Sequence, residues 1–95
     1  TASYLWGDFT GADLSNINGG GYIVFRGVFI GVDLTNADLS GARIGVEGNF
    51  VDLTNADLTN ANLSGAVFGS ITWNNTTCPD GTNSDDNGDT CVNNL

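Results

Sequence analysis

Histidine, lysine and methionine are absent from this sequence, arginine occurs only at Arg26 and Arg43, and there is a single proline. Losing histidine and lysine removes the commonest general base, the commonest nitrogen ligand for metals and any Schiff-base nucleophile. No nucleophile has a base beside it. Paired carboxylates such as Asp33 and Asp38 suit glycoside hydrolysis only where a cleft holds the sugar. No catalytic residue, cofactor site or metal site is therefore expected. Eleven acidic residues against two arginines leave a net charge of −9, which opposes direct binding to nucleic acid or to an anionic membrane. No apolar run reaches the length of a membrane span, and no charged start leads into an apolar leader. The chain starts at Thr1, so removal of an N-terminal segment is left open.

What is present is a period. GADLS, GVDLT, NADLS, NADLT and NANLS fall into five-residue steps, a spacing that neither a strand nor a helix produces. Every fifth residue from Tyr4 gives Tyr4, Phe9, Leu14, Gly19, Val24, Phe29, Leu34, Leu39 and Ile44; after a nine-residue gap follow Leu53, Leu58, Leu63, Phe68 and Trp73. Two residues earlier stands a small residue at Ala2, Gly7, Ala12, Gly27, Ala37, Ala42, Ala56, Ala61 and Ala66, and a larger one at Ile17, Tyr22, Val32, Val51 and Ile71. Side chains two apart on an extended segment point the same way, so both positions face inward. Between them lie Asp, Asn, Ser, Thr and Gly, which favour corners.

This pattern resembles the pentapeptide-repeat family, with its motif A-(D/N)-L-x-x, over about residues 2–71. The resemblance implies an all-β fold: a right-handed quadrilateral β-helix of about four coils, with Leu or Phe stacked inside. On that scheme 1–75 forms the solenoid and 76–95 a C-terminal cap or tail. The inward ladders are expected to be Tyr4, Val24, Ile44 and Leu63; Phe9, Phe29 and Phe68; Leu14, Leu34, Leu53 and Trp73; and Gly19, Leu39 and Leu58, with Phe50 filling a missing rung. The gap between Ile44 and Leu53 is expected to form a bulge or tightened corner.

Outside, two acidic stripes are expected, Asp13, Asp33 and Asp52 on one face and Asn18, Asp38 and Asp57 on the next. YIVFRGVFIGV breaks the polar pattern, so Leu5, Trp6, Ile23, Phe25, Val28, Ile30 and Val46 are expected to form an exposed apolar patch. Bare patches of this kind mark interfaces. The function expected is a non-enzymatic structural or protein-interaction module of unknown partner, with a homodimer through the patch or the solenoid ends as one form. The alternative that the resemblance implies is an acidic mimic of DNA that binds a type II topoisomerase such as DNA gyrase. The family is especially common in cyanobacteria.

The tail carries both cysteines. Cys78 and Cys91 enclose twelve residues and are expected to be bridged, pinning the tail as a cap; the other reading is two free thiols. A bridge points to periplasm or thylakoid lumen, free thiols to the cytoplasm. Asn83, Asp85, Asn87, Gly88 and Asp89 approximate the start of a calcium loop, but Asn94 stands where a bidentate glutamate is needed. Asn74 and Asn75 begin Asn-x-Thr sequons and are read as turn residues.

Overall fold

The computed structural model describes residues 3–19 and 23–95; the expected inward positions Ala2 and Tyr22 lie outside them. Its strands are β1 (Ser3–Asp8), β2 (Ile23–Val28), β3 (Arg43–Ile44), β4 (Val51–Asp52), β5 (Val67–Phe68) and β6 (Ile71–Thr72), with one 3-10 turn at Ser84–Asp86. All strand pairings are parallel, in the order β5-β3-β2-β4-β6 with β1 on β2. Parallel bridges on the other sides join Asp13 to Asp33 to Asp57 and Asn18 to Asp38 to Asn62. The chain is thus a four-sided β-solenoid of about three turns with a further partial coil. Its Cα extents are 36 × 23 × 22 Å.

Each corner uses the residue types that the sequence offers there. Asn16, Asn36, Asn55, Asn60 and Asn75 all hold positive φ, between 51° and 62°, a conformation that asparagine tolerates better than most side chains. Just before each corner an Asp or Asn side chain folds back on the chain. Asp33, for example, accepts from the N–H of Thr35 at 3.0 Å and from its hydroxyl at 2.7 Å.

The first side of the solenoid departs from the expected frame by one residue. Phe25, expected outside, is 1% exposed and packs on Phe29 with ring centroids 5.0 Å apart, whereas Tyr4, expected inside, is 64% exposed. Leu5 packs against the core above Phe25. Val24 is buried but lies outside the central cluster. The cause is a four-residue step from Leu5 to Phe9 and from Phe25 to Phe29. Gly7 and Gly27, at φ +132° and +114°, carry β1 and β2 straight through a corner that elsewhere takes five residues. A Cβ on Gly27 would sit 2.2 Å from the Gly7 carbonyl oxygen, so only glycine allows the two coils to approach there.

A second departure follows Ile44. Val24 pairs with Arg43, nineteen residues on, but Gly27 pairs with Val51, twenty-four on. A segment of one full step, 45–49, is therefore looped out, with Gly45, Glu47 and Gly48 all at positive φ. Phe50 consequently fills no rung and is 64% exposed. Every later residue moves one side round from its expected place. The register gives Leu5–Phe25–Ile44–Phe68, Phe9–Phe29–Leu53–Trp73, Leu14–Leu34–Leu58–Cys78 and Gly19–Leu39–Leu63 as the ladders. Phe29, Leu34, Leu39, Leu53, Leu58 and Leu63 are all buried.

Coil-to-coil hydrogen bonding runs past the boundary expected at residue 75: Leu58 donates to the Thr77 carbonyl at 2.9 Å and Asn60 to that of Pro79 at 3.0 Å. Beyond it, Asn83 bridges antiparallel to Thr77, and Cys78 donates to Thr82 at 2.7 Å. Cys78 and Cys91 are bridged, with Cα atoms 5.3 Å apart and both side chains fully buried.

Candidate interaction surface

The two departures from the five-residue frame meet on one edge, between the first and second sides. Reading one residue off frame turns Tyr4 and Trp6 of β1 outward. In β2, directly beneath Trp6, lies Arg26, whose guanidinium carbon is 5.1 Å from the Trp6 ring centroid, within cation–π range. The N–H of Gly27 donates to the Phe50 carbonyl at 2.8 Å, placing Phe50 on the next rung of that strip. Alongside runs Tyr4, Val24, Arg43 and Val67. Trp6 is 70% exposed and Val67 43%, so four of the six exposed large apolar side chains of the described residues share this edge. Arg43 pairs with Glu47 of the looped-out segment. Both arginines of a strongly acidic chain are therefore on the aromatic edge.

The patch expected from sequence is thus relocated. Phe25 is in the core, Leu5 and Ile23 pack against it, and Val28, Ile30 and Val46 are half-buried; of the seven, only Trp6 is largely exposed. Tyr4, Arg26, Phe50 and Val67 were missed. The signal that locates them is the pair Gly7 and Gly27, twenty residues apart at a position otherwise held by Ala or Val in most steps.

The acidic stripes shift with the insertion. Asp13, Asp33 and Asp57 form one stripe, ending at Thr77; Asp38 stands between Asn18 and Asn62; Asp52 lies beneath Val28. These carboxylates are occupied. Asp13 binds the hydroxyl of Ser15 at 2.6 Å, Asp52 that of Thr54 at 2.6 Å and Asp57 that of Thr59 at 2.6 Å. The Ser15 hydroxyl, helped by its backbone N–H, holds Asp13 below the usual carboxylate range; Thr10, Ser40 and Thr82 do the same for Asp8, Asp38 and Asp80.

The family model described as "Pentapeptide repeats (8 copies)" matches residues 49–69. Over those residues the chain carries the pentapeptide repeat. No curated protein and no solved structure matches the chain. The family suggests a non-enzymatic protein-interaction module.

Beyond the repeat the calcium-like stretch is tied up as a cap. Asn83 Oδ1 accepts from Asp85 N–H at 2.9 Å, Asp85 Oδ1 from Asn75 N–H at 2.8 Å, and Asn87 Nδ2 donates to the Thr82 hydroxyl at 2.7 Å. Among the described residues no three carboxylates or thiols converge on a point. The cap is keyed to the solenoid by Thr76, fully buried, whose hydroxyl donates to the Leu53 carbonyl at 2.8 Å and whose N–H donates to Ser84 Oγ at 3.0 Å.

Proposed function

We propose that this chain is a non-enzymatic interaction module that docks a protein on the edge formed by Tyr4, Trp6, Arg26, Phe50 and Val67. One observation carries this reading: the large exposed apolar side chains concentrate there, around an arginine, while the other sides present short polar residues. Tryptophan, tyrosine and arginine are the side chains that most often dominate protein interfaces, and contiguous exposed apolar surface marks them. Among the described residues the interior of the solenoid is filled by stacked apolar side chains. The test is affinity capture with wild-type protein and with the Trp6→Ser, Phe50→Ser double variant. A captured protein that the wild type retains and the variant loses supports the reading; capture unchanged by the variant overturns it.

The stripe of Asp13, Asp33 and Asp57 favours a second reading, an acidic mimic of DNA acting on a type II topoisomerase. It is three carboxylates long, about 10 Å at the spacing of paired strands, and each of the three is bonded to a neighbouring hydroxyl. Inhibition of gyrase supercoiling, lost on changing these three residues to Asn, would support it over the first.

A further inference from the structure

The two arginines of the aromatic edge are in different states. Arg43 holds the carboxylate of Glu47. Arg26 is exposed and lies against the Trp6 ring, but among the described residues it makes no ion pair. All eleven acidic side chains of the protein are among those residues, so the fold leaves this one guanidinium without a carboxylate while acids surround it.

The ring attracts the charge of Arg26 but gives its N–H donors no oxygen to bond. Phe50 stands on the next coil, so an aromatic residue lies on each side of Arg26 at about one strand spacing, 4.8 Å. Tyr4 and Val24 add apolar surface along one flank. On the other flank are Asp8 and Asp52, whose carboxylates accept from the Thr10 and Thr54 hydroxyls of their own corners.

These surroundings select what can cover the edge. A wholly apolar partner would strip water from Arg26 and leave its charge unpaired, at a large cost. A basic partner would set like charge against it and is drawn instead to the acidic sides. A carboxylate closes the guanidinium fork with two parallel hydrogen bonds. The net charge of −9 opposes an acidic partner at range, but salt screens that repulsion beyond about 8 Å, whereas the pair forms in contact. Asp8 and Asp52 limit the number of acids, since a second carboxylate beside the first would face them. The strip is narrow and runs along the rod, which suits a length of chain lying across the coils.

We propose that the edge binds an extended protein segment in which a single Asp or Glu pairs with Arg26 and apolar neighbours cover Trp6, Phe50 and Tyr4. This rests on the interaction reading above and gives the docked protein its chemistry. Arg26 is the anchor, and the rings beside it keep water from the pair, as the near-neutral surround of an interface hot spot does.

The test pans a library of random linear peptides displayed on phage against the wild-type protein, then measures one enriched peptide by fluorescence anisotropy. Enriched sequences are expected to share one Asp or Glu between aromatic or aliphatic residues. Arg26→Gln, an exposed change whose fold is checked by circular dichroism, is expected to raise the dissociation constant at least tenfold. Replacing the peptide acid by its amide is expected to cost as much on wild type and nothing further on Arg26→Gln, as two partners of one pair require. A further loss of the same size on Arg26→Gln overturns Arg26 as the anchor. Enriched sequences without an acid, or binding lost in the Trp6→Ser, Phe50→Ser double variant but unchanged in Arg26→Gln, overturn the carboxylate and leave the docking edge standing. Binding that survives the double variant overturns the edge as the peptide's site. A library that yields no binding peptide overturns a linear segment as the occupant and leaves a folded partner to the docking reading.

Discussion

Asp38 Oδ1 takes both the N–H of Ser40 at 3.1 Å and its hydroxyl at 2.8 Å, and the same two-bond clasp closes the corners at Asp8, Asp13 and Asp80. Those four carboxyls titrate below their ordinary range because the fold donates hydrogen bonds to the charged form. Their contribution to stability is complete above the unfolded value near 3.9 and disappears as pH falls through the lower folded values. The melting temperature is accordingly expected to be flat from neutral pH to about 5 and to fall below about 4; a melting temperature unchanged down to pH 2 would show that the clasps contribute nothing. Ser40→Ala is expected to raise the Asp38 pKa, read by NMR titration, without moving that of Asp13. Glycine matters at one place above others. Gly27→Ala drives a methyl group into the Gly7 carbonyl and holds a strained φ, at an expected loss of about 2–3 kcal/mol in urea unfolding. Gly48→Ala meets open space at positive φ and is expected to lose only about 1 kcal/mol.

Among the elements, β2 holds the core together, since Phe25 contacts Phe29 beneath β1 and above β3. Phe25→Ala is expected to lose about 3–5 kcal/mol, and Phe25→Asp to prevent folding, both measured by circular dichroism and denaturant titration. The tail depends on its bridge. Reduction, or Cys91→Ser, is expected to lower stability by about 3 kcal/mol, the value for a loop of this length; an unchanged urea midpoint would show that the cap holds by its hydrogen bonds alone. The five-residue period made the solenoid and its inward leucines legible in the sequence, because each step repeats the same pairing of a small and a large inward residue, whereas the bridge was legible from the spacing of Cys78 and Cys91 where the repeat stops. It misassigned the first side because the step at Gly7 and Gly27 takes four residues while Leu5 and Phe25 remain twenty apart, so a frame counted in fives runs through Phe9 and Phe29 without registering that the inward residue before each has moved by one. Phe50 went astray for the opposite reason. A nine-residue gap reads as one residue short of two steps, whereas it is one four-residue corner plus a five-residue loop. The aromatic edge exists only through these two irregularities, so a frame built on regularity passed over it.

For the molecule as a whole, the segment 45–49 is a complete step that adds no rung. Without it, Ile44, Phe50, Val51, Asp52 and Leu53 line up with Phe25, Arg26, Gly27, Val28 and Phe29. Removing 45–49 alone would force Val51 into the conformation that Gly27 holds at φ +114°, so that deletion is expected to destabilise strongly. Adding Val51→Gly is expected to restore a cooperative melt close to that of the wild type, and continued loss of cooperativity would show that the loop is needed for folding. Both flanks of the loop stay hydrogen-bonded to the coils above and below, and its base is fastened too: Gly45 is buried and accepts from the Ser70 N–H at 2.6 Å, and Glu47 pairs with Arg43. The exposed tip at Glu47 and Gly48 is accordingly a place for display: a short foreign peptide inserted there, with Gly45 kept at the base, is expected to stand beside the aromatic strip and leave the rungs in place.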